Sequence, residues 1–163
     1  MLSIAADVQG ADVVEPIVQR FQVGFPVAVD TADVFGQAFG LIAVPDTFLV
    51  DEEGIIRVRG NGPDEKLLTQ IESVLAMPRN ASARATPASD VATGRLDKAA
   101  ELLRKGDKLA ALAELREKLG RAPRNWRIRK QIWAIEHPEK FYKSDSPDYN
   151  WQREQLEREK TSK

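Results

Sequence analysis

The 163-residue sequence contains no cysteine. That absence excludes disulfides, thiolate metal ligands and thiol nucleophiles, yet leaves the compartment open, because secreted proteins can lack cysteine too. There is one histidine, His137, followed by Pro138. A lone histidine at a helix end fits an interaction with the terminal carbonyls better than a Ser/His/Asp arrangement. No apolar run approaches the roughly 20 residues of a membrane span, and Met1-Leu2-Ser3 lacks the basic start of a signal peptide. The expectation is a cytoplasmic protein with no membrane partner. A phosphate-binding G-x-x-x-x-G-K-[ST] loop is missing. Asp51, Glu52 and Glu53 are adjacent turn carboxylates without a spaced ligand loop, so neither a metal nor a cofactor is expected.

With 42% hydrophobic and 30% charged residues, the composition is that of an ordinary globular chain. It is long enough for one domain of about 100 residues and a smaller companion. The net charge of -1 conceals an asymmetry: up to Asp90 there are 6 Lys+Arg against 13 Asp+Glu, and from Val91 onward 18 against 12. Two modules of different character follow from that change of sign. The basic half interleaves its charges along helical patterns, as a solvated helix surface does, and no nucleic-acid partner is expected.

Leu2 to Ala6 reads as a strand. Ala11 to Phe21 reads as a helix, with Val13, Val14, Ile17, Val18 and Phe21 at spacings of three and four. Phe25 to Val29 is a second strand, and Asp30-Thr31 caps a short helix through Phe39. Asp46 to Val50 and Ile55 to Arg59 are β-rich runs around Asp51-Glu-Glu-Gly54, a hairpin with Gly where positive φ is needed. Pro63 and Asp64 open a helix with Leu67, Leu68, Ile71, Val74 and Leu75 on one face. The order β-α-β-α-β-β-α implies a parallel pair joined by a right-handed crossover, then a hairpin and a closing helix.

These residues carry a resemblance. Ala43-Val-Pro-Asp-Thr-Phe-Leu-Val-Asp-Glu-Glu-Gly54 resembles the Val-Pro-Thr-Thr-Phe-Leu-Ile-Asp-x-x-Gly hairpin of thioredoxin-like redoxins, the thiol oxidoreductases of the TlpA and ResA type and the AhpC/TSA peroxiredoxins. Phe25-Pro26-Val27 with Asp30, and Phe39-Gly40, match further pieces, and the likeness covers about residues 1–77. It implies a cis Val44–Pro45 bond and a substrate groove lined by Val44, Pro45 and Asp46, where Asp46 replaces the family's usual Thr. It also implies an antioxidant or thiol-disulfide parent activity, whose cysteine motif would lie ahead of the position of Leu2. The expectation is a start inside the parent domain, and the alternative is a remnant domain that covers the open sheet face with something else. No residue of the chain qualifies as catalytic, and the chain should be redox-inactive, since thiol exchange needs a thiolate.

Residues 78–94, rich in Ala, Ser, Thr and Pro, read as a linker. Beyond it, Leu96, Ala99, Ala100, Leu102 and Leu103 form one apolar stripe, and Leu109, Ala111, Leu112, Leu115 and Leu119 another. Gly106-Asp107, Ala111-Leu112, Leu119 and Pro123 resemble the second half of a tetratricopeptide repeat. Trp126 to Ile135 is a third helix. Phe141, Tyr142, Tyr149 and Trp151 are expected to pack back on a folded surface, and the charged stretch from Gln152 forms a fraying helix.

The fold class read from the sequence is α/β: an incomplete thioredoxin-like mixed sheet with flanking helices (1–77), a linker (78–94), a small α-helical hairpin module (95–143) and a charged, aromatic tail (144–163). The leading functional reading is a redoxin-family protein. Its rivals are a non-enzymatic module binding a protein or peptide at the Pro45 groove and the helical hairpin, and a homo-oligomeric assembly subunit.

Overall fold

A computed structural model describes residues 1–62, 64–77 and 95–161. The linker expected at 78–94 and Pro63 lie outside the described residues. The chain is mixed α/β and mostly helical. Its elements are β1 (Ser3–Ala5), α1 (Ala11–Arg20), β2 (Val27–Val29), α2 (Val34–Ala38), β3 (Thr47–Val50), β4 (Ile56–Gly60), α3 (Glu65–Leu75), α4 (Asp97–Arg104), α5 (Lys108–Arg121), α6 (Trp126–Glu136), a 3-10 turn (Pro138–Lys140) and α7 (Tyr149–Thr161). Contacts divide it into two units, Met1–Phe35 with Gly94–Lys163, and Gly36–Thr93.

The single mixed sheet expected from the sequence is found as two separate ladders. β1 and β2 pair in parallel, with Ser3 opposite Val27, and β3 and β4 pair antiparallel, with Thr47 opposite Gly60. One sheet would need a strand hydrogen-bonded to both ladders, and no described residues supply it.

In the first unit, α1 carries the chain across from β1 to the parallel β2. Asp30, directly after β2, turns its carboxylate onto the next helix: Oδ1 accepts from the Val34 N–H (2.9 Å) and Oδ2 from the Phe35 N–H (2.8 Å). Those bonds satisfy two of the donors that a helix N-terminus leaves open.

The helical part of this unit has sharp, sequence-encoded ends. α4 stops at Gly106, whose φ of 80° is open to glycine at no steric cost. The Gly106 N–H donates to the Leu103 carbonyl and the Asp107 N–H to the Leu102 carbonyl, both at 2.9 Å, which is a Schellman closure. Asp107 then caps α5 through the Ala110 N–H, and Asn125 caps α6 through the Ile128 N–H. The buried core joins Leu96, Ala99 and Ala100 to Leu112 and Leu115 and to Ile128, Ile132 and Ile135. Leu109, assigned to the α5 stripe on spacing, is instead 82% exposed. It lies in the first turn of α5, off the face that buries Ala111, Leu112 and Leu115.

Val8, from the loop after β1, completes this core. Two polar devices hold that loop and its neighbourhood in place. The Gln131 side chain accepts from the Val8 N–H (2.8 Å) and donates to the Ala6 carbonyl (2.9 Å), occupying backbone groups as a neighbouring strand would. Asp33 and Arg127 form a buried two-bond ion pair. Farther along, Trp126, Trp133, Trp151 and Phe141 stack edge-to-face with centroids about 6 Å apart. Trp151 is in the first turn of α7, whose start is capped by Asp148. Tyr149, expected to pack back, is exposed.

In the second unit α3 lies on β4, and the contact is close. A Cβ on Gly60 would stand 2.7 Å from Leu67 Cδ1, so a side chain there would push the buried Leu67 from its place over the strand end. Asp64 caps α3 through the Leu67 N–H (2.7 Å). Leu68 and Leu75, placed by spacing on the buried face, are exposed; of the α3 stripe only Leu67 is buried.

Candidate functional site

The three residues singled out from the sequence, Val44, Pro45 and Asp46, form one turn leading into β3, and the Val44–Pro45 peptide bond is cis. Val44 is exposed, as is Ile42 two residues earlier. Asp46 behaves differently. Its side chain is 4% exposed, while that of its partner Arg59 is 44% exposed. Arg59 Nη2 donates to Asp46 Oδ2 at 2.9 Å and Nε to the same oxygen at 3.2 Å, while Nη1 donates to the Phe39 carbonyl at 3.1 Å. The guanidinium lies 5.0 Å over the Phe48 ring, which meets Phe39 edge-to-face at 5.3 Å. Arg59 is thus held by three partners in a partly open position. Asp46 Oδ1 is buried and has no hydrogen-bond partner among the described residues.

The register explains how these residues meet. Phe48 stands opposite Arg59 across the ladder, and Asp46 directly precedes the first pair, Thr47 with Gly60. The hairpin itself is held by Asp51, whose Oδ1 accepts from the N–H groups of Glu53 (3.1 Å) and Ile55 (2.8 Å) and whose Oδ2 pairs with Arg57. Desolvation pushes the Asp51 carboxyl upward, but the Ile55 N–H and Arg57 outweigh it and hold it below its ordinary range. Gly54 takes φ of 82°, as the turn requires. Among the described residues no group of three His, Asp or Glu side chains is placed to hold a metal ion. His137 ends α6, its N–H donating to the Trp133 carbonyl and its ring set against Trp151 at 4.9 Å.

The sequence reading missed Arg59, which alternation along β4 assigns only to one face, and it missed a second concave feature altogether. In the first unit a cavity of about 270 Å³ is lined by Ala5, Val14, Ile17, Val18 and Phe25 together with Asp7 and Tyr142. Tyr142 Oη donates to Asp7 Oδ2 at 2.6 Å and accepts from Gln9 Nε2 at 2.8 Å. The Asp7 N-terminal neighbours carry no signal of this; the only cue in the sequence is the aromatic cluster around Tyr142.

Compared with protein-family models, with curated proteins and with solved structures, the chain matches none. Among the described residues no helix is long and apolar enough to cross a membrane.

Proposed function

We propose that this chain is a thioredoxin-like, redoxin-family module that binds an extended polypeptide at the Val44-Pro45-Asp46 turn and performs no thiol exchange itself. The observation that carries the reading is that the turn exposes apolar Ile42 and Val44 while its Asp46, a buried carboxylate, fixes the half-exposed guanidinium of Arg59. Apolar contact gives a peptide side chain somewhere to sit, and a guanidinium with free donor capacity offers hydrogen bonds to a carbonyl or carboxylate. β3, which continues from the turn, has one strand neighbour in its ladder, which suits the addition of an extended segment. The redoxin-like motif from Ala43 to Gly54 supports the family assignment, and the lack of cysteine removes its usual chemistry from this chain.

The reading is tested by selecting from a displayed library of linear peptides against the full chain and mapping any selected peptide by amide hydrogen exchange. Slowed exchange over residues 42–50, lost in Val44→Asp, is the expected result. Protection elsewhere, or binding indifferent to Val44→Asp, would overturn it. Insulin reduction or peroxide consumption above a no-protein control would overturn the non-redox part.

A further inference from the structure

The cavity of the first unit is lined by apolar side chains of α1 and by Ser3 and Ala5 of β1, and one of its lining groups is a carboxylate. Asp7 takes its hydrogen bonds from neutral donors, the Tyr142 hydroxyl (2.6 Å) and the Gln9 N–H (2.9 Å). No cationic side chain among the described residues pairs with it. Asp7 is half-buried, and a carboxylate partly withdrawn from water without a counter-ion is stabilised when a cation arrives with its own donors. Each Asp7 oxygen has accepted one hydrogen bond and keeps capacity for another, whereas an ammonium brings three donors and no acceptor. The Asp7 carboxyl is held above its ordinary value by desolvation, which is the same imbalance expressed as proton affinity.

We infer that this cavity binds a small primary alkyl- or arylalkylammonium, its ammonium on Asp7 and its apolar body against Val14, Ile17 and Val18. The volume, about 270 Å³, stands just under the roughly 300 Å³ at which ligand pockets begin, so the ligand is small. A carboxylic acid of the same size would set like charges together. A neutral alcohol would gain the apolar contact alone.

The test is calorimetric titration of the full chain at pH 7 with n-hexylammonium chloride, 1-hexanol and sodium hexanoate, with amide chemical shifts locating the site. The expected result is saturable hexylammonium binding at least tenfold tighter than 1-hexanol, no binding of hexanoate, and shifts confined to residues around 3–27 and 142. Asp7→Asn should reduce hexylammonium to the affinity of 1-hexanol, and Ala5→Leu, which fills the cavity, should weaken both. Should Asp7→Asn fail to fold by circular dichroism, Tyr142→Phe supplies the check, since it keeps the carboxylate and should retain hexylammonium binding within threefold. Equal affinities for hexylammonium and 1-hexanol, shifts elsewhere in the chain, unchanged binding in folded Asp7→Asn, or a loss beyond tenfold in Tyr142→Phe would overturn the assignment.

Discussion

Arg127 and Asp33 are 94 residues apart in sequence, and they meet in two parallel hydrogen bonds of 2.8 Å each, Nε to Oδ1 and Nη2 to Oδ2. Their side chains are 6% and 4% exposed, so neither charge has water to fall back on. Asp33 sits at φ of 57°, a left-handed conformation that Asp and Asn tolerate better than most residues. The pair therefore joins a backbone turn to α6 with both geometry and charge constrained.

Removing one partner should be worse than removing both. Arg127→Met takes the two-bonded guanidinium away from a buried carboxylate and is expected to cost about 3–5 kcal/mol. The double variant Asp33→Asn/Arg127→Met retains the turn-compatible residue and should recover part of that loss. Urea unfolding followed by circular dichroism measures both, and a double variant no more stable than Arg127→Met would refute the coupling.

Gln131 serves Val8 and Ala6 with its two amide ends. In Gln131→Leu the volume is nearly kept while a buried N–H and a carbonyl lose their partners, at about 1–3 kcal/mol for each group left unsatisfied. Faster hydrogen exchange at the Val8 amide should accompany the loss. Unchanged exchange there would show that the bond is not what protects the loop.

The core of the first unit predicts a contrast within one helix. Leu115 is completely buried and Leu109 is 82% exposed. Leu115→Ala should cost about 2–5 kcal/mol through lost contact and a residual cavity, whereas Leu109→Ala should stay within about 0.5 kcal/mol of the parent. Thermal unfolding of the two variants side by side decides the matter.

The close approach of Gly60 and Leu67 predicts that Gly60→Ala destabilises the second unit by about 1–3 kcal/mol, the usual cost of overpacking. Leu67→Ala in the same chain should relieve the clash, so the double variant should fall short of the sum of the single effects. Additive losses in chemical denaturation would argue against contact between the two.

Asp7 gives a pH dependence of definite sign. Burial raises its folded value above the ordinary 3.8, so the folded state holds this proton more tightly than the unfolded chain. Its contribution to stability is complete below pH 3.8 and is lost as pH rises through the folded value. Relative to the parent, Asp7→Asn should therefore gain stability as pH climbs from 3 toward 7. Melting temperatures across that range test it, with a constant difference at all pH values as the opposing outcome.

Much of the local structure was legible in the sequence because its causes are local. Gly106 ending α4, Asp107 starting α5, Asp30 capping α2 and the Asp51-to-Gly54 hairpin each depend on residues within a few positions of one another. The Val44-Pro45-Asp46 turn was singled out instead through the resemblance of the Ala43-to-Gly54 motif to redoxins. Arg59 was not, because β4 alternation gives a face but no partner, and the partner depends on the register that sets Phe48 opposite it. Exposure of Leu68 and Leu75 also escaped the periodicity, since a stripe reports which residues share a face and says nothing about how wide a surface covers it.

The sequence by itself determined the element order, the caps and turns, and the absence of any thiol chemistry in this chain, all of which follow from residue type and short spacing. Only the tertiary structure decided that the strands form two ladders, that Val8 enters the helical core, and that Asp7 with Tyr142, Gln131 with Val8, and Arg127 with Asp33 become partners. Those pairs lie 94 to 135 residues apart, and at such separations no backbone periodicity relates one side chain to the other. Packing of the helical core brings them together, and desolvation makes the pairing matter.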